Sequence, residues 1–205
     1  MKKVGIVSCY FKHNYGSMLQ SYAIQKILEN EGLENETINI EQNVDFKNGK
    51  KKYYKSQIFN FSFIKSKWGM IKLKFDKKIS KKLGRIISIR DKQYKEFKKE
   101  FNLSPSYKYY KDLTTLAKKR YSDVILGSDQ LWLPVNVVAD YYTLNWVPKG
   151  INTISYSTSF GFSKVPSKYN ELYKKFLKNI KHLSVREQSG VKIIKDITGL
   201  NAKLV

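Results

Sequence analysis

Cysteines and long apolar runs are nearly missing from this chain, and each shortage excludes a class of protein. Cys9 is the only cysteine in 205 residues, which excludes an internal disulfide and a cysteine-based metal site. We expect it to be a buried, inert thiol in the first apolar strand, and we expect no metal site. No apolar run approaches the roughly 20 residues that span a bilayer.

A secretory signal is also missing. Residues 1–8 briefly look like a signal peptide, but their apolar run is too short. His13-Asn14 then follows, where a small-residue cleavage site should stand. The sequence therefore predicts a cytoplasmic protein.

Acidic residues are scarce as well: 17 Asp and Glu stand against 39 Lys and Arg, giving a formal net charge of +22. A charge of this size can indicate nucleic-acid binding. Here the lysines accompany abundant Tyr, Ile and Asn, which is typical of a broad compositional bias. No zinc-finger, helix-turn-helix or aromatic RNA-binding signature accompanies the charge. We therefore expect no nucleic acid as a partner.

The positive charge is concentrated between Lys50 and Lys99, in a segment of about residues 50–119 whose pattern is mainly helical and polar. Between Phe59 and Lys78, aromatic and aliphatic side chains are interleaved with lysines. Such a segment can lie in a membrane interface, with its cations on anionic headgroups, which would add a peripheral contact with the inner membrane surface. The alternative is an ordinary helical insertion, whose apolar side packs on the domain and whose lysines are solvated.

Apolar runs alternate with amphipathic segments along the rest of the chain. The predicted strands are Val4–Tyr10, Glu36–Glu41, Asp123–Leu126, Thr153–Tyr156, Leu183–Val185 and one beginning at Ala202. The predicted helices are Ser17–Asn30, Lys168–Ile180 and Glu187–Ile197, the last of them capped by Gly199. The buried face of the first helix should carry Met18, Leu19, Tyr22, Ala23, Ile27 and Leu28. This alternation predicts an α/β fold with a Rossmann-like parallel sheet flanked by helices.

Polar residues follow the third predicted strand directly, in the hexapeptide Gly127-Ser128-Asp129-Gln130-Leu131-Trp132. In an open α/β sheet, ligands bind at the carboxyl ends of the strands. Gly127 lets the backbone turn sharply and lets a ligand approach closely. Ser128 and Asp129 supply a hydroxyl and a carboxylate, and Trp132 should offer a flat apolar face nearby. We therefore take this segment as part of a substrate-binding site.

The loop between the first strand and the first helix should reach the same edge. It contains Asn14, Gly16 and Ser17, at a position where helix N–H groups hold phosphate in dinucleotide folds. No Gly-x-Gly-x-x-Gly motif is present, which disfavours a nicotinamide or flavin, so we expect no cofactor. Asn14 can either contact a ligand or brace the loop. Gln20, one turn further on, can reach the cleft or remain a polar surface residue.

His13 lies at the same edge and is one of two histidines, so it is a conceivable general acid. Loop histidines are usually not catalytic, and the catalytic residue is otherwise unknown from the sequence.

Two later strands end in further candidates. Ser159 offers a hydroxyl and Gly161 permits a tight turn, whereas Phe160 between them can simply belong to the core. Arg186 follows a short strand, where its guanidinium can bind a carboxylate or phosphate through two parallel hydrogen bonds. Alternatively it pairs with Glu187 or caps a helix. Glu187 itself fits a capping box with Ser184, which would satisfy helix N–H groups.

These segments together resemble the polysaccharide pyruvyl transferase family. The matching stretches, in family order, are residues 14–23 (NYGSMLQSYA), 127–132 (GSDQLW), 154–161 (ISYSTSFG) and 184–190 (SVREQSG). Small departures occur at Ser17, where the family usually has Ala or Gly, and at Ser157-Thr158, where Ala-Ala is usual. Four ordered matches over nearly the whole chain make the resemblance specific.

The resemblance implies transfer of the pyruvyl group of phosphoenolpyruvate to a sugar hydroxyl of a cell-surface polysaccharide or its precursor, which forms a pyruvate ketal. The expected partners are phosphoenolpyruvate and a saccharide acceptor, either free or lipid-linked. In the family, the arginine that corresponds to Arg186 is a donor-site residue. The implied architecture is two Rossmann-like domains in a GT-B arrangement, of which residues 1–205 would be the N-terminal one, with the C-terminal domain and its catalytic histidine absent.

The resemblance therefore predicts a truncated or half enzyme, whose activity in isolation is doubtful. Two other functions stay open on the sequence alone. One is half of a glycosyltransferase that binds a nucleotide sugar, and the other is a non-catalytic binding paralogue.

Overall fold

Six parallel strands form the central sheet of the computed structural model, which describes residues 2–59 and 81–205. The strands are β1 (Lys3–Val7), β2 (Asn35–Thr37), β3 (Tyr121–Asp129), β4 (Asn152–Thr158), β5 (Ser184–Val185) and β6 (Lys203–Leu204). Their spatial order is β2-β1-β3-β4-β5-β6, and every neighbouring pair is parallel. This arrangement confirms the predicted α/β fold with a Rossmann-like parallel sheet.

Helices connect the strands and flank the sheet. They are α1 (Tyr15–Asn30), α2 (Val44–Ser56), α3 (Lys81–Phe97), α4 (Tyr110–Arg120), α5 (Pro134–Val138), α6 (Asn170–Leu177) and α7 (Gln188–Thr198). Gly199 ends α7 with a left-handed conformation at φ 75°, as predicted. Within the described residues, no helix has the length and apolar character needed to cross a bilayer.

The basic segment predicted over residues 50–119 is helical where the structure describes it, in the end of α2, in α3 and in α4. Residues 60–80, which carry most of the interleaved aromatics and lysines, lie outside the described residues. The segment also contributes to the sheet, since Leu103 forms a parallel bridge with Thr37 beside β2. Its treatment as an insertion, and its contact with a membrane, stay predictions.

The two faces of β3 belong to two different cores. Val124 and Leu126 point into the larger core, whereas Ile125 between them packs on the opposite face. The larger core is completed by helices α4, α6 and α7 through Leu113, Ala117, Tyr173, Phe176, Leu177, Ile193 and Ile194. The smaller core joins Ile125 to Val4, Ile6, Ile24 and Leu28, which come from β1 and α1. Both faces of β3 are therefore covered by apolar side chains, whereas the edge strand β6 is exposed.

The buried face of α1 differs from the one predicted. Leu19 and Ile27 are 55% and 53% exposed, while Ser21 and Gln25 are buried. The side-chain amide of Gln25 explains the difference. It donates to the carbonyl of Glu100 at 3.2 Å and accepts from the backbone N–H of Asn102 at 2.9 Å. This contact with a segment distant in sequence turns α1 away from the orientation that its apolar pattern favoured.

Cys9 is buried, as predicted, but it does not lie in the first strand. The strand β1 ends at Val7, and Cys9 lies in the connection that follows it. Burial raises the pKa of the Cys9 thiol, which disfavours the reactive thiolate.

A buried ion pair lies near the amino end of β3. The Arg120 guanidinium donates to both carboxylate oxygens of Glu36, from Nε at 2.9 Å and from an Nη at 2.6 Å, and the Tyr121 hydroxyl donates to Oε1 at 2.7 Å. These three residues form what we call the Glu36 cluster. Burial acts to raise the pKa of the Glu36 carboxyl, but the hydrogen bonds from Arg120 and Tyr121 outweigh burial and lower it. The cluster therefore holds a stable carboxylate inside the fold.

Candidate functional site

The loops that follow β1, β3, β4 and β5 form one continuous edge, which we call the carboxyl edge. At its first junction, the Ser17 hydroxyl donates to Asp129 Oδ2 at 2.5 Å. This bond joins the start of α1 to the end of β3. Since β2 lies on one side of β1 and β3 on the other, the junction stands where the strand order reverses. In open α/β sheets that position is the usual ligand site.

Two further bonds continue the edge across β4 and β5. The backbone N–H of Ser159 donates to the carbonyl of Asp129 at 2.9 Å. The backbone N–H of Phe160 donates to Glu187 Oε1 at 2.9 Å. The prediction that Asn14–Ser17, Gly127–Asp129, Ser159–Gly161 and Arg186 share one edge is therefore confirmed. Whether these residues bind substrate stays a prediction.

The backbone is distorted where β3 and β4 approach this edge. A Cβ atom on Gly127 would lie 2.0 Å from the carbonyl oxygen of Tyr156, so only glycine fits there. Tyr156 is the residue opposite Gly127, and the next residue of β4, Ser157, adopts a left-handed conformation with φ 52°, which is unusual inside a strand. Such strain is concentrated at functional sites, where the surrounding structure holds it in place. The close approach was predicted for Gly127, but the partner is the neighbouring strand.

Asn14 braces the loop. Its side chain accepts the backbone N–H of Ser17 at 3.0 Å and caps α1, which is the second of its two predicted roles. Gly16 and Gly161 are exposed, and Gln20 and Ser128 are partly exposed. These four positions are therefore accessible from the solvent side of the carboxyl edge.

Trp132 does not offer an apolar face to a ligand, and that prediction is wrong. Its side chain is fully buried, its ring lies 4.9 Å from that of Phe160, and its indole N–H donates to the carbonyl of Tyr142 at 3.1 Å. The reason is the turn after β3. The Leu131 N–H donates back to the carbonyl of Asp129 at 2.7 Å, and the chain then carries Trp132 into the core.

Ser159 is also buried, with 3% of its surface exposed. Its hydroxyl oxygen accepts the backbone N–H of Gly161 at 3.0 Å. The hydroxyl therefore holds the turn, while Gly161 is the exposed member of this loop. Phe160 is fully buried and belongs to the core, as the simpler of the two interpretations predicted.

The capping box predicted for Ser184 and Glu187 is wrong. Ser184 lies in β5, where its hydroxyl donates to the carbonyl of Ser155 at 2.7 Å. Glu187 instead spans two loops of the carboxyl edge through its bond to Phe160. The sequence gave no sign of this role, because the bond depends on β4 and β5 being neighbours.

Arg186 is exposed at the end of β5, and its Nε lies 3.6 Å from Glu187 Oε2. The alternative prediction of a pair with Glu187 is therefore seen in this structure. The contact is long and uses one nitrogen, so the outer nitrogens of the guanidinium stay available to an anion.

His13 is held by α3. Its Nδ1 lies 2.9 Å from Asp91 Oδ1, and its ring stacks on Tyr94 with centroids 5.0 Å apart. These contacts account for its position without a catalytic role, and that role is untested.

Two lysines near the β1 end of the carboxyl edge were not predicted, Lys12 and, on α2, Lys50. Lys12 lies in the loop after β1, and the Lys50 amino group lies 4.0 Å from the ring centroid of Phe46. Burial, followed by repulsion from Lys12, lowers the pKa of Lys50 to about 8. No sequence motif marks either lysine, although Lys12 directly precedes the His13-Asn14 pair. Within the part of the chain that the structure describes, no group of three His, Cys, Asp or Glu side chains could hold a metal ion.

Comparisons with known proteins bear on this arrangement. A search of curated proteins and a search of solved structures each returned no match. A family model described as "Polysaccharide pyruvyl transferase" matches residues 14–205. That range contains every segment of the carboxyl edge from Asn14 to Arg186 and covers most of the chain.

Proposed function

Because the chain belongs to the polysaccharide pyruvyl transferase family, we propose that it serves transfer of the pyruvyl group of phosphoenolpyruvate to a sugar hydroxyl. The acceptor is a cell-surface polysaccharide or its precursor, and the products are a pyruvate ketal and inorganic phosphate. The observation that carries this proposal is the single edge formed by the family's motifs, with an exposed guanidinium at one end and a carboxylate at its centre.

The chemistry of the donor favours the Arg186 end of this edge. Phosphoenolpyruvate carries a carboxylate and a phosphate, and a guanidinium fork binds such groups through two parallel hydrogen bonds. Gly161, exposed in the adjacent loop, leaves room for the donor beside Arg186. Arg186 can reach the donor by giving up its long contact with Glu187, whose carboxylate stays anchored to Phe160.

Asp129 is suited to the acceptor. Its carboxylate repels an anionic donor at short range, but it can accept a hydrogen bond from a sugar hydroxyl. Ser17 and the backbone N–H of Gln130 hold its two oxygens at 2.5 and 2.7 Å, so its position is fixed before a substrate arrives. In this proposal an acceptor hydroxyl lies near Asp129 and attacks the enol carbon that bears the phosphate oxygen, while the neighbouring carbon is protonated to a methyl group. A second hydroxyl of the same sugar then displaces the phosphate from that carbon, which closes the ketal and releases inorganic phosphate.

Equilibrium binding tests this assignment, because ligand binding by residues of the carboxyl edge can be measured without turnover. Isothermal titration should show binding of phosphoenolpyruvate and none of a panel of nucleotide sugars. Arg186→Ala should weaken phosphoenolpyruvate binding by roughly 1.5–3 kcal/mol, the range for a hydrogen bond to a charged group. His13→Ala should leave binding almost unchanged, and Arg90→Ala on α3 is a control for the loss of one exposed positive charge.

The outcomes separate the candidate functions. Binding of a nucleotide sugar in place of phosphoenolpyruvate would indicate a glycosyltransferase half. Binding of neither would indicate a non-catalytic paralogue. Equal losses in the Arg186 and Arg90 variants would remove Arg186 from the donor site.

A further inference from the structure

Two cations near the β1 end of the carboxyl edge, Lys12 in the loop after β1 and Lys50 on α2, form no ion pair within the described part of the chain. Among residues 2–59 and 81–205, neither Lys12 nor Lys50 has a carboxylate within ion-pair distance. Other lysines of the fold do, such as Lys98 with Glu41 and Lys192 with Asp196. Many exposed lysines of the described residues also lack a carboxylate partner, so what distinguishes Lys50 from them is that it is half-buried without one.

Lys50 is held in a position that disfavours its charge. It is half-buried, with its amino group 4.0 Å from the Phe46 ring centroid and 5.9 Å from that of Phe11. Attraction of a cation to an aromatic face offsets roughly 0.5–1 kcal/mol of the desolvation cost. Lys12 repels it further, which contributes to its lowered pKa. An anion that bound here would offset the desolvation cost of the Lys50 ammonium, so the position favours an anionic ligand.

This position is separate from the Arg186 end of the edge. The strands β3 and β4 lie between β1 and β5, so three strand spacings, roughly 14 Å, separate the two ends. The carboxylate and phosphate of phosphoenolpyruvate are joined through a few bonds of about 1.5 Å each, so they lie roughly 5 Å apart. One donor molecule is too short to occupy both ends. Asp129 stands between them and excludes an anion from the middle.

We propose that Lys12 and Lys50 form a second anion-binding subsite, which takes the phosphate group of a phosphorylated saccharide acceptor while Arg186 binds the donor. Two ammonium groups balance a phosphate dianion better than a single carboxylate, and lysine binds phosphate as a point charge. The saccharide would then extend from the lysines to Asp129, which accepts its hydroxyl. The anion binding rests on the half-buried position of Lys50 beside Phe46 and Phe11, the neighbour of Lys12 in the chain, whereas its use by an acceptor rests on the proposed function.

Titration with glucose 1-phosphate, glucose and phosphoenolpyruvate tests the subsite. Wild-type protein should bind glucose 1-phosphate at least tenfold more tightly than glucose. Lys50→Met keeps the packing on Phe46 and Phe11 and should weaken glucose 1-phosphate binding roughly tenfold or more, as should Lys12→Met. The matched control is Lys51→Met, one residue along α2 and exposed, which should change binding less than twofold. None of the three substitutions should change phosphoenolpyruvate binding more than twofold.

Several results would overturn the subsite. One is an equal effect of Lys50→Met and Lys51→Met, and another is equal binding of glucose and glucose 1-phosphate. A third is a parallel loss of phosphoenolpyruvate and glucose 1-phosphate in the Lys50 variant, which would assign the lysines to the donor. If Arg186→Ala leaves phosphoenolpyruvate binding intact while Lys50→Met still abolishes glucose 1-phosphate binding, the subsite stands and only the donor assignment fails. Thermal unfolding of the Lys12→Met variant, which changes an exposed residue, checks that a loss of glucose 1-phosphate binding is not a loss of folding.

Discussion

Charged side chains are paired differently at the amino ends and at the carboxyl ends of the sheet strands. At the amino ends, the Glu36 cluster is fully paired, and Asp123, Asn152 and Lys181 form a chain of hydrogen bonds of 2.9 Å each. At the carboxyl ends, Lys12 and Lys50 have no carboxylate partner among the described residues, and Ser157 is in a strained conformation. The charged groups at the amino ends are thus paired within the fold, whereas those at the carboxyl ends can still interact with a ligand, next to a strained backbone.

Two buried charges show the difference most directly. The carboxylate of Glu36 loses water but gains Arg120 and Tyr121, and its pKa falls. The ammonium of Lys50 loses water and gains only aromatic faces and a second cation, and its pKa falls too. A lowered pKa favours the charged form of a carboxyl and disfavours the charged form of an amine. The first group therefore stabilises the fold, whereas the second costs stability.

The largest effect should come from Gly127→Ala. The new Cβ would lie 2.0 Å from the Tyr156 carbonyl oxygen, so β4 must move, and we expect a loss of about 4 kcal/mol in the free energy of unfolding. Urea denaturation measures it. Gly32→Ala is the matched control, since Gly32 has φ 71° but nothing within 4 Å, and should cost only about 1 kcal/mol. Similar losses in the free energy of unfolding at Gly127 and Gly32 would show that a Cβ atom fits between Gly127 and the Tyr156 carbonyl.

Arg120→Met should have the next largest effect. Removing one partner leaves the Glu36 carboxylate buried with only the Tyr121 hydroxyl, and we expect a loss of about 3 kcal/mol near neutral pH. Because the folded-state pKa of Glu36 is lowered from 4.5, the wild-type advantage is present above pH 4.5 and is lost as the pH falls through the folded-state value. Denaturation at pH 7 and pH 3 should therefore show a smaller difference at pH 3. A loss that is independent of pH would contradict this account.

Lys50→Met should act in the opposite direction and stabilise the protein. Its pKa falls from 10.5 to about 8, which at full value is a few kcal/mol, but solvent screening of a half-buried group reduces this to about 1 kcal/mol. The cost of the charged lysine is fully present below pH 8 and disappears as the pH rises towards 10.5. Unfolding measured at pH 7 and pH 10 should show the gain only at pH 7. A destabilised variant would mean that Lys50 is a structural residue.

Ser157→Gly should have the smallest effect. Glycine adopts φ 52° without the steric cost that serine has, but it loses more backbone freedom on folding. The net result should be a gain of about 0.5 kcal/mol in the free energy of unfolding. Ser122→Gly, at an exposed position of β3 without a positive φ, should instead cost about 0.5–1 kcal/mol. Opposite signs for the two substitutions would confirm that strain is local to the carboxyl edge.

The position of the candidate site could be predicted because each motif follows an apolar strand. Parallel strands bring their carboxyl ends to the same edge, so Asn14, Asp129, Ser159 and Arg186 could be placed together without coordinates. The direction in which each side chain points could not be predicted. Trp132 and Ser159 look like site residues in the sequence, but the turn after Asp129 buries the first and the Gly161 turn engages the second.

The lysine subsite shows the same limit. Lys50, Lys51 and Lys52 are identical in residue type, and only the four-residue spacing from Phe46 distinguishes Lys50 in the sequence. Only the packing of α2, which buries Phe46 four residues earlier, turns Lys50 towards Phe11 and Lys12. Residues four apart lie on the same side of a helix, so the pairing with Phe46 follows from the helix, but its depth does not.

The sequence by itself determined the α/β alternation, the family and the edge on which the motifs lie, because these depend on local periodicity and on the geometry common to parallel sheets. The tertiary structure alone decided which polar groups form hydrogen bonds or ion pairs within the protein and which do not. Glu187 anchors a neighbouring loop, Gln25 contacts a segment distant in sequence, and Lys50 lies on aromatic rings without a carboxylate partner among the described residues. Each of these depends on contacts between segments far apart in the chain, whose free energy no local pattern encodes.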